Sequence, residues 1–277
     1  MKSIGARFRQ RTTTRARAES APRSRDPRNG GIIFSADDLA AAVGGRVEKR
    51  AQAGAVATDS RKVEEGEWFL ALRGERYDGR EFVSDAIRRG AKGVVIETNS
   101  SDEDERFLST LRDEEGAGLV LARGSSGGIQ CLGRLANFVR RQYRGKVVAI
   151  TGSCGKTSTR AMVGHLVRGL RGADSIHETQ GNENNLVGLP QTLLKLPSES
   201  SFCLLELGMS RPGEIFDLQA ICEPDVRVVT NVGLAHLEGC GGTLAGVARA
   251  KEELVASARP GDICVLNHDD PNVANMR

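Results

Sequence analysis

The stretch AITGSCGKTSTRAMVGHLV, Ala149–Val167, decides the fold. The apolar run Val147-Val148-Ala149-Ile150 before its loop reads as a buried strand, and a helix is expected from about Lys156 to Leu170. Between them stands Thr151-Gly152-Ser153-Cys154-Gly155-Lys156-Thr157-Ser158. Glycines let the backbone turn tightly and aim several N–H groups at one point, and a helix N-terminus adds partial positive charge. Lys156 suits β- and γ-phosphate oxygens, and Thr157 suits Mg²⁺. The pattern is a shortened phosphate-binding loop, G-x-x-G-K-T, because Ile150 occupies the place of the first glycine in GxxxxGK[ST]. A plain Gly-rich turn with an exposed lysine is the bland alternative. The strand before, the helix after and the register of GKT favour nucleotide binding. Cys154 could be an acidified thiol at a helix start, but a small side chain turned away from phosphate is the reading preferred.

Outward from the loop, Phe202–Leu207, Val226–Thr230 and Asp262–Asn267 read as further strands, and Leu244–Arg259 as a helix. Continuous apolar strands alternating with helices imply an α/β fold with a mostly parallel, doubly wound sheet. Ligands bind beyond the carboxyl ends of such strands, where Glu206, Asn231 and Asn267 fall. The P-loop domain is expected to be incomplete, because the acidic turn Asp269-Asp270-Pro271 announces another element. The N-terminal half reads as a small α/β domain. It has a capped helix at Phe34–Gly45, a strand at Trp68–Leu72, a helix at Arg80–Arg89, and strands at Gly93–Glu97 and Gly118–Ala122. Asn99–Glu115 is expected to be a surface excursion, Ile129–Tyr143 a helix, and Gly145 the domain boundary.

The 277 residues carry a net charge of +3, unevenly spread. Residues 1–31 hold nine basic and two acidic residues, a balance of +7, which leaves −4 for the remainder. A mildly acidic body gives no reason to expect nucleic-acid binding, and no apolar run is long enough to span a bilayer. The Arg-rich, hydroxyl-rich segment 1–31 reads as a disordered arm or a transit peptide, which would place the protein in a plastid; without that role a cytoplasmic location is expected. Six scattered cysteines form no zinc pattern. Taken alone, Glu206 could be a surface carboxylate, His236 a structural histidine, and Lys251, beside Glu252 and Glu253, part of a solvated face.

Together, TGSCGKTS, TQGNENNLVGLPQTLLKL, LLELGMSRPGEI, TNVGLAHLEGCGG and ARAKEELVASARPGDICVLNHDD resemble the Mur ligase family, and ATDSRKVEEGEWFLALRGERYDGREFV resembles its substrate domain. The GNENN and ELGM blocks point to the branch that adds D-alanyl-D-alanine to a UDP-N-acetylmuramoyl tripeptide. The resemblance implies a UDP-substrate domain at 32–143, an ATP-binding domain at 144–277, and ATP-dependent amide synthesis through an acyl phosphate by a monomer. It implies that Gly152, Ser153, Cys154, Gly155, Lys156, Thr157 and Ser158 bind the triphosphate, with Asn267 also near the nucleotide. Thr157 and Glu206 would hold one Mg²⁺, His236 a second, and Lys251 would be carbamylated near the metal. Thr58, Asp59, Ser60 and Arg61 would lie near the uridine part, and Asn182, Asn184 and Asn185 near the muramoyl-peptide. Ser210-Arg211 stands where the family has Asn-His, and Cys240-Gly241-Gly242 where it has aromatic-Gly-Ser. The family's closing C-terminal domain finds no counterpart here, so weak or absent ligase activity is expected of these residues alone. Another ligase of the superfamily, such as a folylpolyglutamate synthetase-type enzyme, a non-catalytic UDP-sugar and ATP-binding module, and a P-loop kinase are the alternatives.

Overall fold

The computed structural model describes residues 24–25, 31–73, 78–99, 101–113, 116–124, 126–197 and 199–277. The expected disordered or targeting arm lies almost entirely outside these residues. The described chain forms two compact units, one through Phe138 and one from Val139.

The first unit opens with α1 (Ala36–Val43), whose Ser35 cap and Asp38 make a reciprocal capping box and whose end falls at left-handed Gly44. β1 (Gly45–Lys49), β2 (Val56–Ala57), β3 (Trp68–Leu70), α2 (Val83–Arg88), β4 (Gly93–Thr98), α3 (Asp102–Asp113), β5 (Gly118–Arg123) and α4 (Ile129–Gln142) follow. The sheet order is β1-β5-β4-β3-β2, with only β1 antiparallel. Trp68 is fully buried, and its ring covers Gly93 and Gly118; a Cβ there would come within 2.5 and 2.6 Å of it. The strands β4 and β5 must therefore start on glycine.

The expected surface excursion at Asn99–Glu115 is instead largely helix α3. Its sequence is acidic outside, but Leu108 and Leu111, three apart, pack with Phe69, Val94 and Leu119 in the core. Two apolar positions suffice to dock a short helix on a sheet, and that signal was too sparse to stand out against the charge.

The second unit holds β6 (Lys146–Thr151), α5 (Lys156–Arg171), β7 (Ile176–Glu178), α6 (Gly188–Leu194), β8 (Phe202–Glu206), α7 (Glu214–Cys222), β9 (Val226–Val229), α8 (Leu244–Ala256), β10 (Ile263–Leu266) and α9 (Pro271–Ala274). Its sheet is wholly parallel, in the order β7-β8-β6-β9-β10. The connection after β6 leads to one side of the sheet and that after β9 to the other. The crevice between the carboxyl ends of β6 and β9 is therefore the topological switch point, where such sheets take ligands. The acidic turn does lead into another element, α9, capped by Asp270. At the other end of β6, buried Arg140 donates to the carbonyls of Cys222 and Glu223 and pairs with Asp225 at 2.9 Å. The same carboxylate accepts from the Val147 amide at 3.0 Å and so fixes where the strand begins.

Candidate nucleotide and ligase site

The loop from Gly152 to Gly155 lies at the switch point and is fastened by the residues that follow β9. Thr230 Oγ1 donates to the Cys154 carbonyl at 2.7 Å. The Asn231 amide holds Cys154 from both directions, accepting from its N–H at 2.9 Å and donating to its carbonyl at 3.0 Å. The Ser153 amide donates to the Asn231 carbonyl, and Ser153 Oγ accepts from the Gly233 amide. Gly152 lies so close to Thr230 that a Cβ would stand 1.9 Å from its hydroxyl. Gly155, left-handed at φ 81°, starts α5 without any side-chain cap, so the first-turn amides and the helix dipole face the loop.

Lys156 bends back to donate to the Gly152 carbonyl at 2.7 Å. Burial lowers its pKa, opposed by the nearby Glu206. β8 carries Glu206 to the sheet's carboxyl edge, where it is 1% exposed. Its Oε2 accepts from the Thr157 hydroxyl at 3.0 Å, and its Oε1 from Arg160 at 2.8 Å. Thr157 and Glu206 thus come together as two hard oxygen donors. Magnesium commonly uses few protein ligands and completes its shell with phosphate and water, so this pair fits it. Among the described residues no group of three His, Cys, Asp or Glu side chains forms a metal cluster.

Lys251 lies on the buried face of α8 with Val247, Ala250 and Leu254, not on a solvated one. It is 2% exposed and makes no hydrogen bond or ion pair with any described residue. Burial, reinforced by the positive charge of Lys156, pushes its pKa down to about 8. The sequence reading passed over the spacing: Val247, Lys251 and Leu254 recur at four and three residues, a helix's inner stripe. Next to it, Glu253 accepts from the Gly213 and Phe216 amides and ties α8 to the start of α7.

The remaining expected residues are placed as follows. His236 is exposed in the turn after β9, at φ 64°, with no hydrogen bond to Thr157, Glu206 or Lys251. Ser158 is exposed on the first turn of α5. Asn267 donates to the Thr230 carbonyl at 2.8 Å, bracing the loop's own brace. Asn184 donates to Asn182, and its carbonyl receives the Gly208 amide just beyond β8. Asn185 accepts from the Val187 and Gly188 amides and so opens α6. In the first unit, Asp59 caps the turn Ser60–Lys62 and chelates Arg61 through both oxygens, which lowers its pKa to about 2. Thr58 follows β2 at the same carboxyl edge as a small, solvent-open polar pocket. Arg73, Arg80, Glu97, Asn99 and Asp104 are among the residues that line it. Sequence reading missed that cavity, along with the site residues Arg160, Glu178 and Thr230. All are polar groups whose partners lie far away in the chain.

The Mur ligase middle domain matches residues 150–277, and the domain described as Mur ligase family, catalytic domain, matches residues 53–110. The UDP-N-acetylmuramoyl-tripeptide–D-alanyl-D-alanine ligase of Escherichia coli (strain K12) is 36% identical over 223 residues, which are 80% of this chain and 45% of that protein. The ligase of the same name from Bacillus subtilis (strain 168) is 34% identical over 220 residues, 79% of this chain and 44% of that one. The crystal structure of MurF from Acinetobacter baumannii superposes with a TM-score of 0.78 at 30% identity, covering 90% of this chain and 51% of that one. The MurF ligase from Thermotoga maritima in complex with ADP gives a TM-score of 0.65 at 32% identity, covering 79% and 47%. The chain spans about half the length of the relatives it matches. With two Mur ligase domains matched in order and MurF structures as its neighbours, the chain belongs to the Mur ligase family.

Proposed function

We propose that this chain supplies the UDP-substrate domain, residues 32–143, and the ATP-binding domain, residues 144–277, of a ligase joining D-alanyl-D-alanine to UDP-N-acetylmuramoyl-tripeptide. One observation carries the reading: Lys156 and the Thr157–Glu206 hydroxyl–carboxylate pair meet at the amide-rich start of α5, and buried Lys251 on α8 feels the charge of Lys156. A tripeptide carboxylate attacking a γ-phosphate meets like charge. The arrangement counters it with the backbone amides of residues 155–157, the Lys156 ammonium and the α5 dipole. Lys156 exchanges the Gly152 carbonyl for phosphate oxygen when nucleotide enters. Thr157 and Glu206 are the residues that would hold Mg²⁺, which when bound screens the phosphate charge. The dipeptide amine then attacks the acyl carbon; the C–N bond forms as the C–O bond to phosphate breaks, so inorganic phosphate leaves, the amine gives up a proton and an amide remains.

Lys251 is suited to carbamylation. With its pKa near 8, a substantial fraction is the neutral amine at pH 7.5. That amine adds to CO₂, forming an N–C bond and releasing one proton, and a buried cation becomes an anion beside Lys156. His236 is free to turn toward a second cation. Asp59 and Arg61 with Thr58 and Ser60 serve the uridine end, and Asn182, Asn184 and Asn185 the peptide end.

Isothermal titration of this chain with UDP-N-acetylmuramoyl-tripeptide and with a non-hydrolysable ATP analogue plus magnesium tests the reading. Saturable one-to-one binding of both is expected. Binding of neither would refute it. The Arg-rich arm is read as an import signal; a fluorescent fusion of residues 1–40 that stays in the cytosol would remove that part.

A further inference from the structure

Arg160 stands one turn beyond Lys156 on α5 and joins carboxylates from two strands. Its Nε lies 2.8 Å from Oε1 of Glu206 at the end of β8. A terminal nitrogen lies 2.9 Å from Oε2 of Glu178 at the end of β7, an ion pair whose angles do not make a hydrogen bond. Glu178 is gripped on its other oxygen by Arg168, two turns further along α5. The Glu206 amide accepts no slack either, since it donates to the Thr179 hydroxyl at 3.0 Å. The two oxygens of Glu206 are thereby made unequal. Oε1 is committed to a guanidinium that stays charged, and Oε2 is turned toward the Thr157 hydroxyl.

We propose that Arg160 is a positioning residue that selects magnesium over calcium at this site. The proposal rests on Thr157 and Glu206 being the magnesium residues. By occupying Oε1, Arg160 presents Glu206 to a cation through one oxygen only. Magnesium needs short, near-octahedral bonds and keeps its waters, so a one-oxygen carboxylate suits it. Calcium is larger and readily takes both oxygens of a carboxylate. The planar fork of arginine spans the two carboxylates at once, which a lysine ammonium on its single point of charge does not. Glu178, steadied by Arg168, keeps the guanidinium from swinging off Glu206.

The test is the affinity of the whole chain for a fluorescent ATP analogue with EDTA, with magnesium and with calcium. In the unaltered protein magnesium is expected to tighten binding more than calcium does. Arg160→Gln is expected to reduce the magnesium effect about tenfold or more, the usual cost of removing a residue that orients a ligand, while the calcium effect falls less. Any loss in EDTA, from removing a positive charge near the phosphates, is expected to be smaller than the loss in magnesium. Arg160→Lys is expected to be intermediate, and Glu178→Gln to shift the magnesium-to-calcium ratio in the same direction. An unchanged ratio in Arg160→Gln, or equal losses in all three conditions, would overturn the proposal. If Arg160→Gln loses its circular dichroism melt, Glu178→Gln decides by the same criterion. An unaltered protein that binds nucleotide with no response to either cation would instead overturn the magnesium reading of Thr157 and Glu206.

Discussion

Replacing Lys251 by methionine should stabilise the second unit, because the native lysine is held there at a cost. The side chain is 2% exposed, has no acidic partner, and feels the charge of Lys156. Its pKa falls from 10.5 to about 8. At 1.36 kcal/mol per pH unit, that interval costs folding about 3 kcal/mol wherever both folded and unfolded chains carry the proton. Below pH 8 the full cost is present. Between pH 8 and 10.5 the folded chain has released the proton and the unfolded chain still binds it, so stability rises with pH and the cost disappears. Lys251→Met removes it at every pH. The difference between variant and unaltered chain should therefore be about 3 kcal/mol at pH 7 and shrink toward zero near pH 10.5. Hydrogen exchange of β6 and β8 amides in CO₂-depleted buffer measures this unit alone, whereas fluorescence of Trp68 reports the other unit. Lys156→Met should recover part of the gain by removing the like charge. A Lys251→Met variant that is no more stable at pH 7, or a difference flat from pH 7 to 10.5, would refute the reasoning. Either result would mean that the ammonium reaches water or an anion.

Other perturbations follow from the same geometry. Gly152→Ala places a methyl 1.9 Å from the Thr230 hydroxyl, so Thr230 must release Cys154. Overpacking of this kind costs about 1–3 kcal/mol, and nucleotide affinity measured by calorimetry should fall by roughly tenfold or more. Asn231→Ala removes two of the bonds that hold Cys154; labelling of the Cys154 thiol should quicken and nucleotide affinity drop, both read in one alkylation-protection experiment. Arg140→Ala strips buried Asp225 of its guanidinium and leaves the exposed Lys146 as a poor substitute at 3.4 Å. A loss of about 3 kcal/mol is expected in chemical denaturation of the second unit, without a matching change in the first.

The parallel sheet was legible because its strands are short apolar runs ending in polar residues, and each polar residue marks a carboxyl end. The loop was legible because glycine, lysine and threonine at that spacing have few other uses. Lys251 was half legible: its neighbours Glu252 and Glu253 advertise a wet face, while Val247 and Leu254 place it on the dry one. The short strands β2 and β7, of two and three residues, carry too little pattern to be seen before the sheet that recruits them. Helix α3 was hidden by its acidic surface. Arg160, Glu178 and Thr230 belong to the site through contacts that cross 46, 18 and 76 residues of chain, to Glu206, Arg160 and Cys154 in turn. No local spacing encodes such partners; only the parallel register of β6, β8 and β9 brings them together.

The most direct test of the account is a structure of this chain with a non-hydrolysable ATP analogue and magnesium. The phosphates should rest on the amides of residues 155–157, with Lys156 Nζ moved from the Gly152 carbonyl onto a phosphate oxygen. Phosphates bound anywhere else, with Lys156 still on Gly152, would contradict it.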